Sequence, residues 1–576
     1  MDIQELMFKF FLKKFSHMRY TISFLFLIIL ISCQDHVKPD NKLVTPFRPN
    51  ILWLVTEDLS PVIPPFGDST ITTPVLSRLA AEGVRYPNCF SPSGVCAPSR
   101  AALSMGMYPT HIGAMHMRTG FWAGSRPSKA QSETQRKSFP PGLPYYEAMP
   151  PADARMHSEY MRMQGYYCTN RAKQDYQFVA PVTAWDECGR EAHWRNRQPG
   201  QPFFSIFNFE VTHESQIWVK ASDSLWIDSN QQVIVPPYLP NTPVAMKDIR
   251  RMYSNVKQMD DQVGKILAQL EADGLLDSTI IFWYPDHGGP LPRQKRLCYD
   301  SGLKVPLIIR YPDHWKAGTI DSQLISFIDF LPTILSMTGV DPPKNIDGRS
   351  FAGSHVASEK RQYIHAAADR FDERYDMIRA VRDQRFKYLR NFSPEKGYYL
   401  PVAYREQMPI MQELLRLRDA HALNEYQAQW FRPKKPAEEL FDTQADPYEL
   451  HNLAADPTYE KKLAELRNEC DRWMQAMDDK GLMEEKDYIK SIWHGDQQPT
   501  TAVPSMVKRN GKISMASETP GASIGYKILH HEQNAKSWSI YTQPIPINQG
   551  DTIIAIAHRI GYLPSEEKRL TLDIIQ

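Results

Sequence analysis

"NILWLVTED", residues 50 to 58, decides the fold. Ile51 to Val55 is an unbroken apolar run that ends at Glu57 and Asp58. A strand with one wet face would alternate, so an unbroken run predicts a strand buried on both faces, as in a parallel sheet covered by helices. Two later segments repeat the design. "PFFSIFNFEVTH" runs from Phe203 to Phe209 into His213, and "STIIFWYPDHGG" runs from Ile280 to Tyr284 into Asp286 and His287. In open α/β sheets ligands bind beyond the carboxyl ends of the strands, so these polar groups can meet at one site.

Between the runs lie helix candidates: "TTPVLSRLAAEGV" (72–84), "VAMKDIRRMYSNVKQMDDQVGKILAQLEADG" (244–274) and "FIDFLPTILSMTGV" (327–340). Strands alternating with such helices predict a doubly wound α/β domain over 49–354. After about residue 355 the pattern changes. "RQYIHAAA" and "IRAVRDQRFKYLRNF" read as strands, "EELFDTQADPYELHNLA" as turns and "YEKKLAELRNECDRWMQAMDDKG" as a helix, a small α+β subdomain over 355–498. From Pro499 short alternating strands split by turn signals predict a β-sandwich tail over 499–576.

With 576 residues the chain exceeds one compact core. Its 42% hydrophobic and 23% charged residues are those of a globular protein, and 67 Lys and Arg against 66 Asp and Glu leave a net charge of +1. That balance, with no long basic run, excludes nucleic acid as the main partner, so any anion is bound locally.

The N-terminus carries an address. Lys13, Lys14 and Arg19 precede the apolar "TISFLFLIIL", too short for a comfortable membrane span and suited to a signal-peptide core, with Met18 an alternative start. "LISC" at Leu30–Cys33 resembles a bacterial lipobox, which implies a lipoprotein signal over 1–33, lipidation of Cys33 and a membrane anchor; the alternative is a plain secretory signal. Both predict export, to the periplasm or the outer membrane surface, with 34–48 as a polar linker. Seven cysteines, Cys33, Cys89, Cys96, Cys168, Cys188, Cys298 and Cys470, are too sparse for a disulfide framework.

"SPSGVCAPSRAALSMG", residues 91–106, places Cys96 at a predicted helix start, four residues before Arg100. A helix N-terminus offers unpaired N–H groups and partial positive charge, and Arg100 adds a full one, which suits an oxyanion. "CAPSR" matches the C-x-P-S-R signature of the type I sulfatases, and "TTPVLSRLAAEGVRYPNCFSPSGVCAPSRAALSMGMYP" resembles that family along its length. The resemblance, over roughly 49–480, implies an alkaline phosphatase-like α/β sandwich. It also implies enzymatic oxidation of Cys96 to formylglycine by a dedicated maturase, with the hydrated aldehyde as nucleophile.

Residue by residue, the resemblance implies calcium held by Glu57, Asp58, Asp286 and His287 beside the modified Cys96. Hard oxygens suit calcium; Glu57 replaces the commoner Asp, and His287 is a softer donor. "KRLCYDSGLKVPLIIRYP" makes Lys295 the contact to sulfate and the leaving oxygen, and His213 in "VTHES" the proton donor to the leaving alcohol. "GYYCTNRAKQDYQF" gives Lys173 as a sulfate contact, yet Asp175 stands where the family carries a histidine. "GAMHMR" offers His116 and Arg118, with Asp175, as substrate contacts. The tail is similar to the small β-sandwich ending chitobiase-like glycosidases. The expected activity is hydrolysis of sulfate esters on a carbohydrate, algal such as ulvan or a glycosaminoglycan. "PDHGGPLPRQKRLCY" is also similar to the sulfamidase branch, so N-sulfoglucosamine cleavage stays open, as do a phosphoesterase of the superfamily and a glycan-binding lipoprotein with an inactive site.

Overall fold

A computed structural model describes residues 48–120, 139–529 and 537–571; the predicted signal peptide, Cys33 and nearly all of the 34–48 linker lie outside them. The central sheet comprises β1 (Asn50–Thr56), β2 (Val84–Phe90), β3 (Tyr167–Arg171), β4 (Glu187–Cys188), β5 (Phe203–Phe209), β6 (Thr279–Pro285), β7 (Lys304–Arg310) and β8 (Ile325–Ser326). They lie in the order β4-β3-β5-β1-β6-β7-β2-β8. Neighbours are parallel except where β7 meets β6 and β2.

The apolar run of β1 is buried throughout and feeds two cores. Leu52 and Leu54 face one cluster; Ile51, Trp53 and Val55 face the other. On the first face pack α1 (Pro74–Glu82) and α4 (Pro243–Ala272), through Leu76, Leu79, Val256, Met259 and Val263. On the second lie α2 (Cys96–Met105), α3 (His157–Met163) and α5 (Phe330–Met337), through Ala101, Met105, Met161, Phe330 and Ile334. Each fully buried side chain of this size contributes about 1.5–3 kcal/mol, which is why the strands need no polar face.

Register then builds the site. Thr56 of β1 stands opposite Phe209 of β5 and Pro285 of β6. The next residues of each chain, Glu57 and Asp58, 210–213, and Asp286 and His287, therefore emerge together at the carboxyl edge of the sheet.

A second, antiparallel sheet runs β12-β11-β10-β9, with β9 (Ile364–Ala368), β10 (Ile378–Arg382), β11 (Phe386–Asn391) and β12 (Glu438–Asp442). Helix α6 (Glu460–Ala476) covers one face through Leu463, Leu466 and Trp473 against Val381, Tyr388 and Leu440. The other face joins the first main core through Ala366, Ile378 and Phe441. Two sequence readings are corrected here. Glu438–Asp442 is a strand, not a turn; its charges are satisfied in place, Glu438 by Arg467 (2.6 Å) and Glu439 by Asn391 Nδ2 (3.0 Å). "IRAVRDQRFKYLRNF" is two strands, because Asp383 Oδ1 accepts from the N–H of Arg385 (2.7 Å) and Phe386 (2.6 Å) and turns the chain.

The tail forms sheets β13-β14-β17 and β16-β15-β18-β19 from β13 (Ser505–Arg509), β14 (Lys512–Ala516), β15 (Ser523–Leu529), β16 (Ser539–Ile540), β17 (Ile545–Pro546), β18 (Thr552–His558) and β19 (Lys568–Thr571). They share a small core of Ile513, Met515, Ile524, Ile545 and Ile553. Arg162 Nη2 in α3 donates to Trp538 O (2.5 Å), and Ser523 Oγ donates to Glu159 Oε1 (2.5 Å), which ties the tail to the α/β layers. Among the described residues no helix is long and apolar enough to cross a membrane.

Candidate active site

Cys96 is the first residue of α2 and is 2% exposed. The N-cap, Val95, offers no side-chain acceptor, so the first N–H groups of the helix stay open towards whatever anion the site receives. Gly94 makes the turn possible: a Cβ there would lie 2.7 Å from Leu297 O. Ser99 Oγ donates to Asp286 O (2.5 Å), which locks the helix start against the end of β6.

Around the thiol the predicted residues converge. Cys96 Sγ lies 3.4 Å from His287 Nε2 and 3.9 Å from Asp58 Oδ1. Arg100 Nε donates to Asp286 Oδ2 (2.9 Å), Nη1 to Asn208 Oδ1 (2.7 Å) and Nη2 to Glu57 Oε1 (3.4 Å). Lys173 Nζ is 2.5 Å from Glu57 Oε1, and Lys295 Nζ donates to Asp58 Oδ2 (2.7 Å). His213 Nε2 accepts from Lys295 Nζ at 3.2 Å and sits 4.0 Å from Glu57 Oε2.

The charges set one another's protonation. Burial opposes ionisation of Asp58, but Lys295, His213 and His287 hold its carboxyl well below the usual range. Asp286, equally buried, is held at about 2 by His287, Arg100 and Lys173. Glu57 is pushed up, chiefly by burial. Burial, then Lys295, pushes His213 down to about 3, so its resting imidazole is neutral. His287 goes the other way: burial is outweighed by Asp286 and Asp58, and it rises to about 10.

Two groups here could hold a metal, Glu57 with Asp58, Cys96 and His213, and Asp58 with Cys96, Asp286 and His287; within each, the donor atoms lie within 4.8 Å of one another. The His287 ring tests the fit. Its Nδ1 faces Gly288 O (3.1 Å), which can only accept, so Nδ1 carries the hydrogen. With no cation bound, the protonated ring donates from Nε2 to Asp58 Oδ1, 3.0 Å away; once that proton is lost, the Nε2 lone pair faces the same oxygen. Two acceptors at that distance require a proton or a cation between them. With carboxylate oxygens of Glu57, Asp58 and Asp286 adjoining, the donor set fits a hard divalent cation.

Asp175 is buried beside the cluster, with Oδ2 3.9 Å from Lys173 Nζ and Oδ1 without a hydrogen-bond partner among the described residues. Arg118 stands at the rim: Nε donates to Asp372 Oδ1 (2.9 Å), and the guanidinium lies 5.8 Å from the Tyr404 ring centre, itself 6.3 Å from that of His213. His116 is not brought into the cluster. It is buried, its Nδ1 accepts from the Arg370 N–H (3.3 Å), and burial pushes its pKa down to about 4.

Four participants escaped the sequence reading: Asn208, Glu214, Arg296 and Asp372. Asn208 had a signal, as a lone amide in the otherwise apolar end of β5. Glu214 is 1% exposed and accepts from Arg296 Nη1 and Nη2 (2.9 Å each); it also lies 3.2 Å from Lys295 Nζ. Arg296 Nε donates to Asp372 Oδ2 (2.9 Å). The six described cysteines are all free.

The mainly parallel sheet with helices on both faces is the alkaline phosphatase-like α/β sandwich, and its carboxyl edge here carries a thiol at a helix start ringed by cations and acids. The chain belongs to the type I sulfatase family, and is a sulfatase related to the sulfamidase-like branch. The sulfatase family model matches residues 49–144 and 156–340, and the model of the N-sulphoglucosamine sulphohydrolase C-terminal region matches 293–406. An ulvan-active sulfatase of Formosa agariphila is 49% identical over 96% of this chain and 98% of its own. Human N-sulphoglucosamine sulphohydrolase is 25% identical over 76% and 93%. Among solved structures, a protein in complex with its substrate D-glucosamine-2-N,6-O-disulfate has a TM-score of 0.51 at 17% identity, covering 75% of this chain and 98% of that one. A phosphonate monoester hydrolase of Silicibacter pomeroyi scores 0.52 at 18%, covering 76% and 97%, so the fold is shared beyond sulfatases.

Proposed function

We propose that this chain is an exported, lipid-anchored sulfatase that removes sulfate from a carbohydrate, with formylglycine at position 96 and calcium beside it. The convergence of Cys96, Arg100, Lys173, His213 and Lys295 on one buried point carries the mechanism; the 49% identity to an ulvan-active sulfatase carries the substrate class.

Formylglycine would supply, as its hydrate, the oxygen nucleophile that a thiol at position 96 does not. Glu57, Asp58, Asp286 and His287 would hold the calcium, whose positive charge favours anionic oxygens in the site. Arg100, Lys173 and the open end of α2 neutralise the sulfuryl oxygens, and because these groups are buried and already bonded, they reorganise little as charge develops. The resting His213 is neutral and accepts from Lys295, so this pair holds the proton for the departing oxygen. A sulfate bound nearby favours the imidazolium form and readies that transfer. Asp175, with one buried oxygen unpartnered among the described residues and Lys173 3.9 Å from the other, accepts from a sugar hydroxyl rather than replacing the family's histidine as a base.

Sulfated oligosaccharides from ulvan and from glycosaminoglycans, O- and N-sulfated, assayed for free sulfate beside aryl sulfates and phosphate esters, test the reading. Sulfate release from ulvan oligosaccharides, with little phosphate from any ester, is expected. Exclusive release from N-sulfoglucosamine would make the enzyme a sulfamidase, and a faster phosphate reaction would overturn the assignment.

A further inference from the structure

Lys295 is 3% exposed and lies between two carboxylates, Asp58 at 2.7 Å and Glu214 at 3.2 Å. Asp58 belongs to both candidate metal groups, and Glu214 to neither. A cation at the acids would draw charge from Asp58, which leaves Glu214, shared with Arg296, as the other carboxylate beside the lysine. Glu214 is also fixed in an unusual degree. Its carboxylate takes both terminal nitrogens of Arg296, whose Nε is anchored by Asp372, and its backbone N–H donates to Asp58 Oδ2 (2.7 Å). Asp372 in turn bonds Arg118 at the rim. One residue before it, His213 shares the proton contact with Lys295.

We infer that Glu214, clamped by Arg296 and Asp372, is a positioning residue that holds the Lys295 ammonium against His213 and the leaving oxygen. The inference rests on the leaving-group role proposed above for Lys295. A bidentate pair fixes direction as well as charge, so the clamp holds a second carboxylate 3.2 Å from an ammonium whose shorter contact, 2.7 Å, is to Asp58. The clamp decides where the ammonium points.

Glu214→Gln keeps the shape and removes the charge, and Arg296→Lys keeps the charge and removes the fork. Both are compared with wild type and Lys295→Met on a sugar sulfate, whose alkoxide needs protonation, and on 4-nitrophenyl sulfate, whose phenolate leaves unaided. For Glu214→Gln, kcat on the sugar sulfate should fall by about a hundredfold with KM within about threefold, and kcat on the aryl ester by less than about fivefold. Arg296→Lys should show the same selectivity with a smaller loss. In a Lys295→Met background, Glu214→Gln should cost less than about twofold, because both act on one interaction. A purely structural role would lower both substrates equally and add to Lys295→Met, and that result overturns the inference. Should Glu214→Gln not fold, Arg296→Lys carries the same test. Full activity of Lys295→Met on the sugar sulfate would remove the underlying role itself, a different outcome from an inert Glu214→Gln beside an inactive Lys295→Met.

Discussion

Replacing Arg100 with lysine keeps the charge and discards the geometry, which makes it a sharp probe of how this site binds sulfate. Arg100 is 7% exposed, and its guanidinium spends three nitrogens on three acceptors: Asp286 Oδ2 at 2.9 Å, Asn208 Oδ1 at 2.7 Å and Glu57 Oε1 at 3.4 Å. A lysine ammonium on a stem shorter than arginine's reaches one of these. Loss of two charge-assisted bonds costs about 3–6 kcal/mol of stability. The catalytic loss is of similar size: misplacing one preorganised donor typically lowers kcat by about a hundred- to a thousandfold. Arg100→Met takes the guanidinium from Asp286 and Glu57, which keep His287 and Lys173 beside them, and should cost at least as much stability as Arg100→Lys. Ion chromatography of released sulfate at saturating substrate and thermal melts measure both quantities. A kcat for Arg100→Lys within about threefold of wild type, or a loss confined to KM, would refute the placement of Arg100 on the transferring group.

Asp175→Asn should raise KM for the sugar sulfate by about tenfold with kcat nearly unchanged; a selective loss of kcat would make Asp175 a proton acceptor instead. Exhaustive chelation should abolish sulfate release and lower Tm by several degrees, both restored by calcium, since a cation bound only by the folded chain stabilises it by about 3–4 kcal/mol at 100 to 1,000 times its Kd; an unchanged Tm and activity would remove the assigned ligands. Asp248 is buried and accepts from the Ile410 N–H (2.7 Å), and burial lifts its carboxyl from 3.8 to about 7. The folded state therefore loses stability as pH rises through that window, with the full penalty above about pH 7, so Asp248→Asn should raise Tm more near pH 8 than near pH 4. Equal gains at both would contradict this.

The strands and the residues that follow them were legible in sequence for one reason: continuous apolar runs that end in acids or histidine announce both two-sided burial and a common edge. The register of Thr56 against Phe209 and Pro285 then does what the pattern implied. The supporting layer was not legible. Glu214, Arg296 and Asp372 sit 82 and 76 residues apart along the chain, and each alone resembles a solvated charge. His116 shows the converse: a histidine near the signature in sequence is turned away into a buried contact with Arg370. Strand β12 was hidden because its glutamates, which locally favour a turn or helix, are satisfied by partners from β11 and α6.

The conversion of Cys96 tests the account most directly. Trypsin should release residues 86–100, "YPNCFSPSGVCAPSR", which also carries Cys89, a fully buried thiol on β2 that serves as an internal control. In protein produced with a formylglycine-generating maturase, mass spectrometry of that peptide should find CHO in place of CH2–SH at position 96 and an unchanged thiol at position 89. Cys96→Ala should melt as the wild type does and release no sulfate. Wild-type sulfate release from Cys96→Ala, or from protein whose Cys96 is entirely thiol, would contradict it.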